Sequence, residues 1–258
     1  MKSPKEIVGA VNATASYKCG IETSRLVLLA FLAGVYISMG GLLSVVVGAE
    51  VGALIGASSA LVKVLGSFVF PVGLIVIVIA GGELFTSNCA YLAPNLLAGR
   101  STMKDVLRNW TIVWCVNFVG ALFFAYFITY LTDISSSENV KQAFFNVAKS
   151  KTSYDFIVVF LRGIGANWFV CLAIWVSLSA TTVSGKIIGI WFLIMAFVAI
   201  GFEHSIANMY MLPVAMMEGY ELSVVDLFAK NLIPVTLGNI VGGFLFVGAA
   251  YWYVYDKE

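Results

Sequence analysis

The sequence predicts an all-α membrane protein of six transmembrane helices, arranged as an inverted three-helix repeat with interrupted second and fifth helices. Three observations predict this class: the hydrophobic composition, uncharged runs long enough to cross a bilayer, and patterns that occur twice. Of 258 residues, 60% are hydrophobic and 11% are charged, and the mean hydropathy is +0.96. Soluble domains carry about 25% charged residues. The composition therefore indicates an integral membrane protein.

Six uncharged runs are candidate membrane spans, because a helix needs about 20 apolar residues to cross a hydrocarbon core of roughly 30 Å. In chain order they are Leu26 to Val47, Leu65 to Leu97, Trp110 to Leu131, Phe156 to Ser179, Ile187 to Met217 and Ile233 to Tyr255. The second and fifth runs are too long for one simple span, and each contains a glutamate. The first 25 residues are too polar for a cleavable signal. They are predicted as a cytoplasmic amino-terminal segment that permits a short interfacial helix.

The distribution of Lys and Arg predicts the topology, because positive charge is retained in the cytoplasm when loops are short. With six spans both termini share one side, which collects nine basic residues against six on the other. Both termini are therefore expected in the cytoplasm, with a bacterial inner membrane as the expected location. The net charge of +1, without a basic tract, gives no indication of nucleic-acid binding. Four scattered cysteines without CxxC spacing predict neither a disulfide framework nor a metal site, and no cofactor is expected.

Two sequence patterns recur at nearly the same spacing. The pattern Gly-x-Glu-x4-Asn begins at Gly81 and occurs again from Gly201, 120 residues later. The pattern Asn-x7-Asn-x2-Gly begins at Asn109 and occurs again from Asn231, 122 residues later. Together they predict a duplication of three spans.

The duplication divides a single channel domain, residues 1–258, into halves of about 26–131 and 156–255. Because three is an odd number of spans, the two halves must lie in opposite orientations. Such inverted repeats are typical of transporters and channels, whose interrupted helices meet near the membrane midplane.

The glutamates of the first pattern, Glu83 and Glu203, lie at the two predicted interruptions. An ionised carboxylate is too costly to face lipid. We expect each to accept hydrogen bonds from backbone N–H groups that a broken helix leaves free, with Asn88 and Asn208 as polar companions. A direct role of the carboxylates in transport is the alternative.

The stretch GFEHSIANMY contains the only histidine of the chain, His204, directly after Glu203. An ionisable residue inside a membrane segment is a functional candidate, so His204 is predicted to line a pore. Its symmetric counterpart is Leu84, with Thr86 close after it. The two interruptions are therefore expected to bring the Thr86 hydroxyl to the imidazole across the pseudo-axis.

Four stretches give the chain a resemblance to a known family: ELFTSN at the first interruption, GANWFVCLAIW, GFEHSIANMYMLP and TLGNIVGGFLFVGAAYW. Over nearly its whole length the chain resembles the formate/nitrite transporters. The resemblance implies an aquaporin-like fold and a homopentamer in the lipid bilayer with one pore per protomer. It also implies passage of small monovalent anions such as formate, nitrite, hydrosulfide or lactate, with formate as the first expectation.

The family's functional residues fall on particular positions of this chain. The resemblance implies that the central histidine is His204, its partner is Thr86, the asparagine of the fourth span is Asn167, and the vestibule lysine is Lys151, with Lys149 as competitor. Apolar constrictions are expected at Leu84, Phe197, Phe85 and Phe202. Ordinary packing is the alternative for these four residues, since the chain contains 19 Phe.

The chemistry of a weak acid offers a route through an apolar constriction. A bare anion is expensive to move there, and a single cation only partly offsets the cost. If Lys151 draws the anion into a vestibule, the falling dielectric raises its proton affinity, and it can cross as the neutral acid together with a proton. His204 then stabilises the anion as imidazolium, relays a proton, or hydrogen-bonds the neutral species; the sequence leaves these three roles open.

Other classes of function are less consistent with the sequence. Nitrite and hydrosulfide channels belong to the same family and remain alternatives. A water-type channel is expected to carry paired Asn-Pro-Ala turns, and an ammonia channel two facing histidines; the sequence has neither. An enzyme or haem protein needs more ligands, or a nucleophile with a base, than one histidine provides. We therefore expect no enzymatic activity.

Overall fold

The computed structural model describes residues 1–55 and 60–256, and these are nearly all helical. The helices before the second half are α1 Pro4–Gly20, α2 Thr23–Ile55, α3 Ala60–Val69, α4 Val72–Ala80, α5 Phe85–Leu97 and α6 Met103–Phe123, which continues as a π-helix to Tyr130. Those that follow are α7 Glu138–Thr152, α8 Phe156–Ser179, α9 Val183–Ile200, α10 Ser205–Met217, α11 Val224–Asp226, α12 Ile233–Gly243 and α13 Ala250–Tyr255. Two π-helical stretches, Leu227–Leu232 and Phe244–Ala249, join the last three helices.

Six helical stretches of the described ranges are long and apolar enough to cross a membrane, which confirms the predicted class. They are Thr23–Ile55, Ala60–Ala80, Met103–Tyr130, Phe156–Ser179, Val183–Ile200 and Val224–Tyr255. The fourth has the predicted bounds. Most of the others extend further, because a helix continues past the first charged residue that ends an apolar run.

The two predicted interruptions are confirmed as short extended segments between helices. Gly81 (φ +96°) ends α4 and Gly201 (φ +90°) ends α9, and such positive angles favour glycine. The helical course resumes at Phe85 and Ser205. The second span has a further irregularity at Pro71, between α3 and α4, where proline lacks a backbone N–H.

Helix α1 is a packed part of the domain. Its first turn is stabilised by a capping box in which Ser3 and Glu6 each bond the other's backbone N–H. Val8, Val11 and Ala15 are buried. The amino-terminal segment is thus more than an interfacial tail.

Helix α7, in the connection between the halves, is the counterpart of α1. Each ends close before the first span of its half, and each places a lysine near its carboxyl end, Lys18 in α1 and Lys151 in α7. Each half of the structure therefore contains one polar helix followed by three spans. A search for apolar runs misses α1 and α7 because both are too polar.

The first and third spans of each half pack closely through glycine. A Cβ on Gly120 in α6 would overlap the carbonyl oxygen of Phe31 in α2. A Cβ on Gly242 in α12 would overlap that of Ile164 in α8. Small residues let helix backbones approach in this way. The repeated glycine of the second sequence pattern is therefore a packing residue.

Candidate functional site

Two half-helices, α5 and α10, begin at the interruptions and bring Thr86 and His204 together. The Thr86 Oγ1 atom lies 2.9 Å from His204 Nε2, and both side chains are buried. Each helix directs the positive end of its dipole toward this meeting point. The juxtaposition expected from the repeat is present in the structure.

The other ring nitrogen of His204 caps helix α10. The backbone N–H of Ala207 donates to His204 Nδ1 at 3.2 Å, so Nδ1 presents its lone pair. The ring proton therefore lies on Nε2, from which it is donated to Thr86 Oγ1. An imidazolium would place a second N–H against that of Ala207. The arrangement favours a neutral imidazole whose partner, the Thr86 hydroxyl, retains its own proton to donate.

Two asparagines clamp the first residues of the half-helices. The Asn117 side chain accepts the Phe85 N–H at 3.0 Å and donates to the Ala30 and Glu83 carbonyls at 2.7 and 2.9 Å. Two of the three partner groups belong to the first interruption and the third to α2, so Asn117 joins the third span to both.

Asn239 repeats this arrangement in the second half. It accepts the Ser205 N–H at 2.9 Å and donates to the Gly163 and Glu203 carbonyls at 2.8 and 3.0 Å. A buried backbone group without a partner is costly, so these clamps keep irregular backbone stable inside the membrane.

The partners of the two glutamates correct the sequence-based expectation. Glu83 accepts from the side chains of Lys18 and Asn88, each at 2.7 Å, instead of from free backbone N–H groups. Asn88 also donates to Asn109 at 2.8 Å. The asparagine clamps already satisfy the backbone, which leaves each carboxylate available to pair with an ammonium.

The second half contains the equivalent cluster around Glu203. Its carboxylate accepts from Lys151 at 3.0 Å and from Asn208 at 2.7 Å. Asn208 also donates to Asn231 at 2.7 Å. Asn231 in turn donates to the Lys151 carbonyl at 2.9 Å, which ties α7 to the cluster.

Lys18 is a residue that the sequence analysis did not single out. It lies 11 residues before Leu29, whose carbonyl accepts the Glu83 N–H, as Lys151 lies 11 residues before Arg162, whose carbonyl accepts the Glu203 N–H. The shared spacing identifies Lys18 as the counterpart of Lys151 only once these carbonyl contacts are known, so the sequence alone gave no signal for it. The packing of α1 against the spans buries it: its side chain is 7% exposed, against 16% for Lys151.

A cavity of about 530 Å³ leads from the α7 side to the imidazole. Its wall includes Lys151, Glu203 and, at the inner end, His204. Of the two lysines considered for the vestibule, Lys151 lines this cavity, whereas Lys149 is exposed outside it. The arrangement provides a basic entrance that narrows onto a neutral hydrogen-bond donor.

Comparison with known proteins identifies the family to which the chain belongs. A model described as formate/nitrite transporter matches residues 5–253. The chain belongs to the formate/nitrite transporter family. A probable formate transporter of Methanothermobacter thermautotrophicus is 44% identical, covering 100% of this chain and 98% of the relative. A formate channel of Bacillus thuringiensis is 40% identical, covering 99% and 96%. The solved structure of a pentameric formate channel with formate bound matches with a TM-score of 0.81 and 34% identity, covering 91% and 98%.

Members of the formate/nitrite transporter family are channels or transporters and not enzymes. The same holds for this chain, which is an integral membrane protein. Among the described residues, no group of three or more His, Cys, Asp and Glu side chains is placed to hold a metal ion.

In this formate/nitrite transporter the wall above the histidine is aromatic. Phe197 lines the cavity with its ring centroid 6.0 Å from that of His204. Phe70, which the sequence analysis missed, packs edge-to-face on Phe197 at 6.0 Å and lines the same cavity. Its position directly before Pro71, where the span is irregular, is the only sequence signal for it.

The remaining expected constriction residues occupy different environments. Leu84 is buried at the amino-terminal cap of α5, the position equivalent to His204. Phe202 lines the cavity, whereas Phe85 is not among its wall residues and packs against Trp110. Leu84, Phe85 and Phe197 are all buried, and a constricting role for the four residues stays a prediction.

Asn167 lies between the two halves behind the histidine. Its amide nitrogen donates to the Thr86 carbonyl at 3.0 Å and to the Asn239 carbonyl. Through these bonds it links α5 to α12 and fixes the backbone that carries the Thr86 hydroxyl. These bonds indicate that Asn167 acts on the position of Thr86 rather than by direct contact with a solute.

Proposed function

We propose that this protein is a homopentameric formate channel of a bacterial cell membrane, with both termini in the cytoplasm and the Lys151 cavity on the outer face. The assignment to formate is supported by relatives named as formate transporter and formate channel, and by the likeness to a pentameric formate channel. The orientation is supported by the nine basic residues on the side of the termini against six opposite.

The observation that carries the proposal is the cavity that contains Lys151 and ends at the hydrogen-bonded pair His204–Thr86. The wall of this cavity carries two lysines and one glutamate, and such an excess of positive charge attracts anions and concentrates them. Next to His204 the cavity wall is formed by the rings of Phe70 and Phe197, and beside them an anion loses its hydration. The entrance therefore favours an anion over a neutral solute, whereas the aromatic constriction disfavours any charged solute.

A weak acid satisfies both demands by taking up a proton. As formate leaves water its proton affinity rises, because a low dielectric disfavours the charged form. The neutral acid then passes the aromatic rings. The His204–Thr86 pair offers a hydroxyl donor to its carbonyl oxygen, and Thr86 Oγ1 accepts in turn. Of the three roles left open by the sequence, the cap on Nδ1 favours hydrogen bonding of the neutral acid by a neutral imidazole.

The test is solute flux into proteoliposomes that contain the wild type or His204→Ala. Formate, nitrite, hydrosulfide and lactate are compared at about pH 5 to 8, together with a strong-acid anion of similar size. We expect formate flux to rise as pH falls and the strong-acid anion to pass slowly at every pH. Thr86→Ser retains the hydroxyl and should retain flux, whereas Thr86→Val should not.

Flux no faster than in empty liposomes would refute the channel. Equal, pH-independent flux of formate and the strong-acid anion would refute passage as the neutral acid. Nitrite is the second candidate because the family is described by both anions. It is also the anion of a weak acid, so the same comparison decides between them by rate.

A further inference from the structure

The cavity wall contains one basic residue besides Lys151. Among the described wall residues the charged side chains are Lys63, Lys151 and Glu203. Lys151 and Glu203 form an ion pair at 3.0 Å and largely cancel. For Lys63 no ion pair occurs with any residue of 1–55 or 60–256. The net charge of the wall is therefore carried by Lys63.

Lys63 is an exposed residue of α3, on the wall opposite α7. Its Nζ atom lies 3.7 Å from the point that a Cβ on Gly201 would occupy. Gly201 ends α9 and precedes the segment that carries His204. The Nζ atom thus reaches the cavity wall near Gly201 from an exposed position on α3.

The facing wall of α7 carries uncharged amides. Asn139, Gln142 and Asn146 follow one helix face along the cavity and are exposed. Amide N–H groups hydrogen-bond an anion without forming a tight ion pair with it, so the anion is able to leave again. An ammonium opposite a row of amides suits a hydrated monovalent anion on its way to Lys151.

We propose that Lys63 is the residue that recruits anions at the mouth of this cavity and sets the concentration at which flux saturates. This role rests on the proposed function, since it requires the cavity to be the anion entrance. A single uncompensated charge in a low-dielectric cleft raises the local anion concentration and the entry rate. A charge at the mouth affects entry and leaves the passage past His204 unchanged.

The experiment measures formate uptake against external concentration in cells that express the full chain. Lys63→Gln should raise the half-saturating concentration roughly three- to tenfold, with maximal flux unchanged. Lys63→Glu should raise it further, and Lys63→Arg should restore it. Lys149→Gln is the matched control, because it removes an exposed positive charge on the same face but outside the cavity. At about 1 M salt the Debye length falls to about 3 Å, so the difference between wild type and Lys63→Gln should shrink to less than about twofold.

A purely structural role gives a different result. An ammonium near the carboxyl end of α9 also stabilises the helix dipole. In that case Lys63→Gln would lower the melting temperature of the purified pentamer and its maximal flux, without a salt-dependent change in half-saturation. That outcome, or equal half-saturation in Lys63→Gln and Lys149→Gln, overturns the proposal. A wild type that moves no formate refutes the proposed function and this role with it; normal flux in both the wild type and Lys63→Gln refutes the role of Lys63 alone.

Discussion

Replacing Asn239 by alanine should destabilise the protein more than almost any other single polar substitution. The side chain satisfies three buried backbone groups: the Ser205 N–H, the Gly163 carbonyl and the Glu203 carbonyl. Two of them, the Ser205 N–H and the Glu203 carbonyl, lie where the fifth span has no helical hydrogen bonds of its own, and Gly163 lies in α8. Asn239→Ala removes all three hydrogen bonds at once and leaves the two groups of the interruption unpaired.

The magnitude follows from the hydrogen bonds that are lost. A buried hydrogen bond contributes about 1 kcal/mol net, and a buried group left unpaired costs about 1–3 kcal/mol. Two unpaired groups and the loss of the third hydrogen bond, partly rescued by water, give an expected loss of about 3–5 kcal/mol. That is a large fraction of the roughly 5–15 kcal/mol that stabilises a typical native protein.

The assay is unfolding in mixed micelles with increasing SDS, followed by circular dichroism, with formate flux measured in parallel. Asn117→Ala should lose a similar amount, because its hydrogen bonds at the first interruption are equivalent. Asn146→Ala, at an exposed site on α7, should stay within about 0.5 kcal/mol of wild type. If Asn239→Ala unfolds at the same SDS fraction as Asn146→Ala, the clamp does not stabilise the interruption.

Three further predictions concern contacts outside the clamps. Lys18→Met leaves the Glu83 carboxylate buried without its ammonium and should cost about 3–5 kcal/mol in SDS unfolding, most of which Lys18→Met with Glu83→Gln should restore. Gly242→Ala should cost about 1–3 kcal/mol in the same assay, because its Cβ overlaps a carbonyl of α8. The hydrogen bond from the Arg100 guanidinium holds the pKa of Asp256 below its ordinary value of 3.8. The stabilising effect of the Asp256–Arg100 bond is thus present above pH 3.8 and is lost as the pH falls through the lowered pKa. Proteolysis of α1 in the wild type should therefore be unchanged from about pH 8 to 5, and over that range it should be faster in Asp256→Asn.

Each of these three predictions has a control variant or a result that would contradict it. A Lys18→Met protein as stable as wild type would mean that the Glu83 carboxylate has no need of the pair. Gly9→Ala is the control for the glycine, since a Cβ there meets nothing within 4 Å. Unaltered proteolysis in Asp256→Asn would show that its bond to Asn12, at 3.0 Å, does not hold α1 in place.

Sequence repetition predicted the parts of the fold that both halves need. The glutamates, the asparagines five residues after them and the glycines of the second pattern are repeated because each half has to stabilise an interrupted span by the same bonds. The repeat also predicted that Thr86 and His204 would meet, since equivalent interruptions in an inverted repeat lie across the pseudo-axis. A pattern that recurs has a structural reason in both of its copies.

Features that depend on tertiary packing had no such signal. The pairing of Glu83 with Lys18 joins residues 65 positions apart, and nothing in the apolar runs indicates that α1 folds back onto the spans. Phe70 is one of 19 phenylalanines, and its place on the cavity wall depends on the turn at Pro71 between α3 and α4. The sequence alone did not show which of Lys151 and Lys149 faces the cavity. That depends on the rotation of α7 about its own axis, which is set only when the helix packs against the spans.

The two halves share most of their polar contacts and differ at a few positions. Both have a lysine–glutamate–asparagine cluster and an asparagine clamp, so these groups cannot by themselves give the proposed pathway a direction. The halves differ at Leu84 against His204, and in the exposure of Lys18 against Lys151. On the proposed pathway, a solute from the α7 side reaches the Lys151–Glu203 pair and then the imidazole of His204, whereas on the α1 side the equivalent lysine is buried by the packing of its own helix. The shared contacts hold the two half-helices opposed, and the direction of the proposed pathway follows from the positions at which the halves differ.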